Sequence, residues 1–162
     1  MSRLESAIRR LQAQKACLDW AAAEISTQPG PVLELGLGNG RTYDHLRDRM
    51  AEREIFVFER EIAAHPDCVP DERHLLLGDI RSVIADASIV IGAQAVLAHC
   101  DIGNGYKCET AELAAFVGPA LAPLLAPGAL VVSGQALIVP GCFEVPLPDG
   151  VAPDRYYIYR MG

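Results

Sequence analysis

The stretch Glu34-Leu35-Gly36-Leu37-Gly38-Asn39-Gly40 constrains this chain more than any other. It closes the apolar run Val32-Leu33-Glu34-Leu35, which reads as a strand, and precedes a segment from Thr42 to Met50 that can be helical. Three glycines at alternate positions suit neither a strand interior nor a helix. They suit a sharp strand-to-helix turn, where the chain adopts backbone angles that a Cβ disfavours. At such a turn a ligand can lie directly against the backbone, and the free N–H groups of the following helix attract a carboxylate or phosphate. In an open α/β sheet this is the end of the strands at which ligands bind.

The spelling of the turn narrows the ligand. A dinucleotide fingerprint, Gly-x-Gly-x-x-Gly, would place its third glycine at position 41, where helix and strand pack tightly beside a pyrophosphate. That position is Arg41, and the third glycine comes one residue early, at Gly40. An NAD or FAD site is thereby disfavoured. A phosphate-binding P-loop also fails, since neither Gly-Lys-Ser nor Gly-Lys-Thr follows the glycines.

Around the turn, helical and strand-like patterns alternate. Ser2 and Glu5 make a capping-box pattern, and Leu4, Ile8, Leu11, Leu18, Ala22 and Ile25 recur at helical spacing until Pro29-Gly30-Pro31 stops the helix. Strand-like runs follow at Ile55 to Phe58, His74 to Leu77, Ala95 to Ala98 and Ala129 to Ser133. Between them, Ile80 to Ile91 has the length of one helix stopped by Gly92. Thr110 can cap another helix, which Pro119 should break or kink before it restarts. Phe143 to Leu147 and Tyr156 to Tyr159 are too close together for a helical crossover and predict an antiparallel hairpin. The expected fold is α/β: a doubly wound, Rossmann-like, mostly parallel seven-stranded sheet with a C-terminal antiparallel hairpin and helices on both faces. One domain over 1–162 is expected, with an N-terminal helix and linker (1–29), a βα core (30–135) and the hairpin (136–162).

Composition excludes several classes of partner. A net charge of -7 repels phosphate backbones and anionic lipid surfaces, so no nucleic acid is expected. Arg3, Arg9, Arg10 and Lys15 gather near the N-terminus and read as a solvated helix face. From Leu113 to Phe143 no side chain is charged, a length that could span a bilayer. Pro119, Pro123, Pro127 and Gly128 divide it into short pieces, and a buried helix and strand leave the same signature, so no membrane span is expected. That stretch suits a homo-oligomer interface as well as a core. Five widely spaced cysteines, with no Cys-x-x-Cys pair, make neither a disulfide framework nor a zinc site. Without a secretory signal pattern in the first residues, the cytoplasm is the expected location.

An acidic residue on strand one followed by Gly-x-Gly-x-Gly resembles the first motif of the class I S-adenosylmethionine-dependent methyltransferases. The likeness extends along the whole chain, from the helix ahead of strand one to the closing hairpin, and its spelling resembles a small stand-alone bacterial family. The resemblance implies S-adenosyl-L-methionine as cofactor, held at Glu34, Gly36, Gly38, Asn39, Gly40, Arg41 and Thr42. It implies further contacts from Glu59, Gly78, Asp79, Ile80 and His99. Glu59 ends strand two about 20 residues beyond the glycines, where a carboxylate can accept both ribose hydroxyls or simply be solvated. Asp79 follows strand three, where the family holds the adenine amine, with Ile80 against the ring; Asp79 can equally cap a helix. His99-Cys100-Asp101 follows strand four, so His99 or Asp101 is a candidate to orient the cofactor or act as a base, with a structural histidine as the alternative. Gly103 and Gly105 in Ile102-Gly103-Asn104-Gly105 can make a loop over the site or a turn.

The acceptor is harder to read. Methylation of amino groups on bases or glutamine goes with an Asn- or Asp-Pro-Pro-aromatic motif after strand four, and this chain has His99-Cys100-Asp101-Ile102 there. Metal-dependent O-methyltransferases need carboxylate and amide ligands after strands four and five. Ser133, Gly134 and Gln135 follow strand five, so no metal is expected. A small-molecule acceptor and direct methyl transfer fit best. The alternative is a non-catalytic sensor or regulatory subunit that binds S-adenosylmethionine or S-adenosylhomocysteine.

Overall fold

A computed structural model describes residues 2–103 and 107–162. Ser2 caps helix α1 (Arg3–Glu24) in both directions: its hydroxyl accepts from the Glu5 amide, and its own amide donates to the Glu5 carboxylate. That reciprocal pair satisfies orphan donors of the first turn. The buried side of α1 is Ala13, Gln14, Cys17, Leu18 and Ala21. Leu4 and Ile8 fit the helical spacing yet stand exposed, because only the second half of α1 lies against the sheet core.

Strands β1 (Val32–Leu35), β2 (Ile55–Glu59), β3 (Leu75–Leu77), β4 (Ala95–Cys100) and β5 (Leu125–Ser133) are parallel. β6 (Cys142–Glu144) and β7 (Tyr157–Met161) close the sheet as an antiparallel pair, β7 lying between β5 and β6. The order is β3-β2-β1-β4-β5-β7-β6. The direction of winding reverses between β1 and β4, the point where such sheets open a crevice at their C-terminal edge. Period-two alternation divides the strands between two cores. Leu33, Leu35, Phe56, Phe58, Ala98 and Val131 pack toward α3 (Ile80–Val83), α4 (Ala87–Ile91) and α5 (Lys107–Leu121). Val32, Val57, Leu97, Leu130, Val132 and Ile158 pack toward α1 and α2 (Arg41–Arg49). No described helix is long and apolar enough to cross a membrane.

Several elements differ from the sequence expectation. Ile80 to Ile91 is two short helices with a break at 84–86; β-branched Val83 and Ile84 and the backbone-competing Ser82 and Asp86 all favour a helix weakly. Thr110 lies inside α5, not ahead of it. α5 runs through Pro119 to Leu121, since a proline in the last turn removes only one backbone donor, and it ends in a 3₁₀ turn at Ala122–Leu124 around Pro123. Gly118 lets α5 press on the segment after β5, for a Cβ there would lie 2.2 Å from the Ile138 carbonyl oxygen. β5 starts before Pro127-Gly128 and carries them as an irregularity in its pairing with β4.

Candidate functional site

The glycine turn sits at the switch point. Gly36 has φ +92° and donates to the Phe58 carbonyl, and a Cβ on it would meet the Asp101 carbonyl oxygen at 2.5 Å. Gly36 thus holds the ends of β1 and β4 in contact. Gly38, at φ +52°, has nothing within 4 Å of where its Cβ would be, so this part of the turn faces open space. Gly40 is the N-cap of α2, pressed on Cys68, and Arg41 beside it is exposed. The close packing that the dinucleotide fingerprint assigns to position 41 is carried one residue earlier.

Glu59, at the end of β2, braces the turn. One carboxylate oxygen accepts from the Leu37 and Gly38 amides at 2.8 and 3.0 Å, and the other accepts from the Arg60 amide at 2.7 Å and the Glu61 amide at 3.3 Å. Asp79 caps α3 by accepting from the Arg81 amide at 2.9 Å. Its cap role is therefore present, and Asp79 also lines the cleft.

Three connected hollows surround these groups. A cleft of about 310 Å³ is lined by Gly36, Gly38, Glu59, Gly78, Asp79, Ile80, Asp101, Ile102 and Leu113, among others. A smaller hollow of about 100 Å³ on the α1 side shares Gly36, Gly38 and Asp101 with it and adds Arg10, Gln14, Asn39, Arg41 and Thr42. A groove of about 620 Å³ between α5 and the segment after β5 meets the cleft at Gly103 and Thr110; Ala111, Ala114, Ala115, Gln135, Ala136, Ile138 and Tyr157 line it. Of the residues expected from sequence, Gly36, Gly38, Asn39, Arg41, Thr42, Glu59, Gly78, Asp79, Ile80 and Asp101 come together around the first two hollows. Glu34, Gly40 and His99 line none of the three. Of the loop expected over the site, residues 104 and 105 lie outside the described residues.

Glu34 and His99 lie behind the turn, both fully buried. The Glu34 carboxylate accepts from His99 Nδ1 at 2.7 Å and from the Thr42 hydroxyl. His99 Nε2 is 2.8 Å from the Tyr156 hydroxyl, which accepts from the Gln14 amide at 2.9 Å. The same Gln14 nitrogen donates to the Asp101 carboxylate at 3.1 Å. Burial opposes a charge on His99, but the Glu34 carboxylate and its hydrogen bond outweigh burial, with a smaller push from Asp101, and hold the imidazole pKa above its ordinary value. Burial, reinforced by Glu34 and Asp101, pushes the Cys100 thiol well up, which is the opposite of what a nucleophile needs. Among the described residues, no group of three or more His, Cys, Asp or Glu side chains is placed to hold a metal.

Sequence reasoning misses Gln14, Tyr156 and the site role of Arg10. Gln14 leaves a signal: it interrupts the apolar stripe of α1 three residues after Leu11 and four before Leu18. A polar residue there must find partners when buried. Tyr156 leaves none, because its partner Gln14 is 142 residues away.

A family model described as S-adenosyl-L-methionine methyltransferase matches residues 1–161. The crystal structure of an S-adenosyl-L-methionine methyl transferase from Silicibacter pomeroyi DSS-3 is 45% identical with a TM-score of 0.94, over 100% of this chain and 99% of that one. Two more distant structures share the fold. TrmN from Thermus thermophilus is 15% identical, with a TM-score of 0.53 over 94% of this chain and 48% of that one. An S-adenosylmethionine-bound amino pentose methyltransferase from Micromonospora echinaspora is 18% identical, with a TM-score of 0.51 over 91% of this chain and 64% of that one. No curated protein matches the chain.

Proposed function

The chain belongs to the S-adenosyl-L-methionine methyltransferase family, and from that premise we propose that it transfers a methyl group directly from this cofactor to a small molecule, as one domain acting in the cytoplasm. When bound, the cofactor supplies an electrophilic methyl group on a sulfonium centre. The observation that carries the assignment of the site is Gly38: its Cβ position is open, and it lies where the cleft and the smaller hollow meet.

The adenosine half belongs in the cleft. The two Glu59 oxygens already accept from four backbone amides, so the ribose hydroxyls are accepted by displacing the longer of these bonds, from Gly38 at 3.0 Å and from Glu61 at 3.3 Å. Asp79 can accept from the adenine amine while it caps α3, with Ile80 against the ring. The amino-acid half belongs in the smaller hollow, where Arg10, Arg41 and the start of α2 suit a carboxylate and Asp101 suits an ammonium. Asn39 and Thr42 complete that wall, while Gly40 and Glu34 support it from behind.

The groove beside α5 is the proposed acceptor site, because it opens into the cleft and, among the described residues, its lining carries no charged side chain. Direct displacement asks the protein chiefly to align donor and acceptor. A base is needed only when the acceptor must lose a proton, and a carboxylate paired with the donor's ammonium is a weak one, so Asp101 serves here to hold the donor. His99, with both ring nitrogens engaged and no exposure, serves the site from behind. All five cysteines are free, which suits a reducing compartment. Isothermal titration with S-adenosylmethionine, S-adenosylhomocysteine and NAD tests the site. Binding of the first two, lost in Gly38→Val, is expected, and NAD binding or unchanged affinity in that variant overturns it.

A further inference from the structure

We propose that Tyr156, acting through Gln14, is a positioning residue that fixes the Asp101 carboxylate for the ammonium of the donor's amino-acid end. This rests on the reading above that Asp101 faces that ammonium. Asp101 alone is poorly held. Its side chain is 40% exposed and its ion pair with Arg10 is 3.9 Å long, a contact that does little to select a rotamer. What fixes it is the Gln14 amide, at 3.1 Å.

Gln14 is itself only 5% exposed, so an unpaired N–H there is costly and its orientation matters. Its amide nitrogen has two hydrogens and two acceptors, the Asp101 carboxylate and the Tyr156 hydroxyl oxygen. Without the tyrosine oxygen, the amide loses the partner that sets its rotation, and Asp101 loses a donor of defined direction. Tyr156 is in turn anchored: it is 2% exposed, its hydroxyl meets His99 Nε2, and the two rings lie nearly parallel and end to end across that hydrogen bond, 6.1 Å between centroids. His99 is tied to Glu34, and Glu34 to Thr42 at the start of α2. The chain of contacts therefore joins three elements that bound the smaller hollow: α1, the glycine turn with α2, and the residue after β4. Tyr156 lines none of the three hollows, so its effect on a ligand must pass through another residue.

Two ligands separate positioning from general support of the cleft. S-adenosylhomocysteine carries the amino-acid end, and 5′-methylthioadenosine keeps the adenosine and thioether but lacks it. Titration calorimetry of wild type, Tyr156→Phe, Gln14→Met and Asp101→Asn with both ligands makes the test. Tyr156→Phe and Gln14→Met should each weaken S-adenosylhomocysteine about fivefold to tenfold. Affinity for 5′-methylthioadenosine should stay at the wild-type level, and Tyr156→Phe should cost nothing further in the Asp101→Asn background. Equal losses for the two ligands would assign Tyr156 a merely structural role, and no loss for either would remove it from the site; both overturn the proposal. If Asp101→Asn itself spares S-adenosylhomocysteine, the ammonium assignment fails and takes this inference with it, while wild-type binding still upholds the cofactor site.

Discussion

Glu34 and His99 stand opposite each other in the register of β1 and β4 and meet at 2.7 Å, with neither side chain exposed. The parallel pairing puts them side by side, and their alternation with Val32 and Leu97 turns both toward the α1 and α2 face. Burying an acid beside a base is costly, and a well-packed apolar pair is often as stable. The return here is geometric. Through Thr42 on one side and Tyr156 on the other, the pair connects the start of α2 to the helix and loop that border the smaller hollow.

The pair predicts a pH-dependent stability. The folded-state pKa of His99 lies above its ordinary 6.5, so the stabilisation it contributes is fully present below pH 6.5 and is lost as pH rises through the folded value. Urea unfolding of wild type and His99→Gln should therefore differ most at or below that pH, by about 2–4 kcal/mol, and less at each step above it. A gap that widens with rising pH would refute the sign of this shift.

Two glycines of the turn should fail in different ways. Gly36→Ala places a Cβ 2.5 Å from the Asp101 carbonyl oxygen at φ +92°, and should cost about 2–4 kcal/mol of stability. Gly38→Ala meets no atom within 4 Å and pays only the left-handed backbone, about 1–2 kcal/mol. Its methyl group nevertheless enters the space assigned to the donor, so S-adenosylhomocysteine affinity should fall more than stability does. Thermal melts and titration calorimetry on both variants separate the two effects.

The contrast between these glycines shows what is legible in the sequence. The position of the turn is readable because Val32 to Leu35 is a short apolar run bounded by Pro31 and Gly36, and Ile55 to Phe58 and Ala95 to Ala98 are bounded in the same manner by polar or glycine-containing segments. Which glycine touches Asp101 and which faces open space depends on β4, about 60 residues further on, and no local pattern carries that. The break in Ile80 to Ile91 escapes because Ile84, Ala87 and Ile91 keep helical spacing across it. The partners of Gln14 escape because they come from the far end of the chain, although a lone amide in an apolar stripe announces that partners exist.

The groove beside α5 predicts a separation between donor and acceptor. Ala115 is exposed on α5, lines the groove and does not line the cleft. Ala115→Phe fills part of the groove with a ring, so steady-state kinetics with any accepted substrate should show a raised acceptor KM. The S-adenosylhomocysteine affinity should match wild type. Loss of donor binding in this variant would place the acceptor elsewhere, since the groove would then be part of the donor site.

Glu59 should act through the ribose contact and the glycine turn together. Glu59→Ala removes the acceptor for the ribose hydroxyls and leaves the Leu37 and Gly38 amides without their present partner, so the turn loses its brace together with the ligand contact. Both ligands used above carry a ribose, so each should weaken by a similar ~1–3 kcal/mol. Glu59→Gln keeps one carbonyl oxygen, which can still accept from the two amides, and should recover the turn without the full ribose interaction. Its melting temperature should return close to wild type while the affinity for both ligands stays between wild type and Glu59→Ala. A Glu59→Gln variant as weak as Glu59→Ala would show that ionised oxygens on both sides of the carboxyl are required, and one that binds like wild type would reduce Glu59 to a brace for the glycine turn.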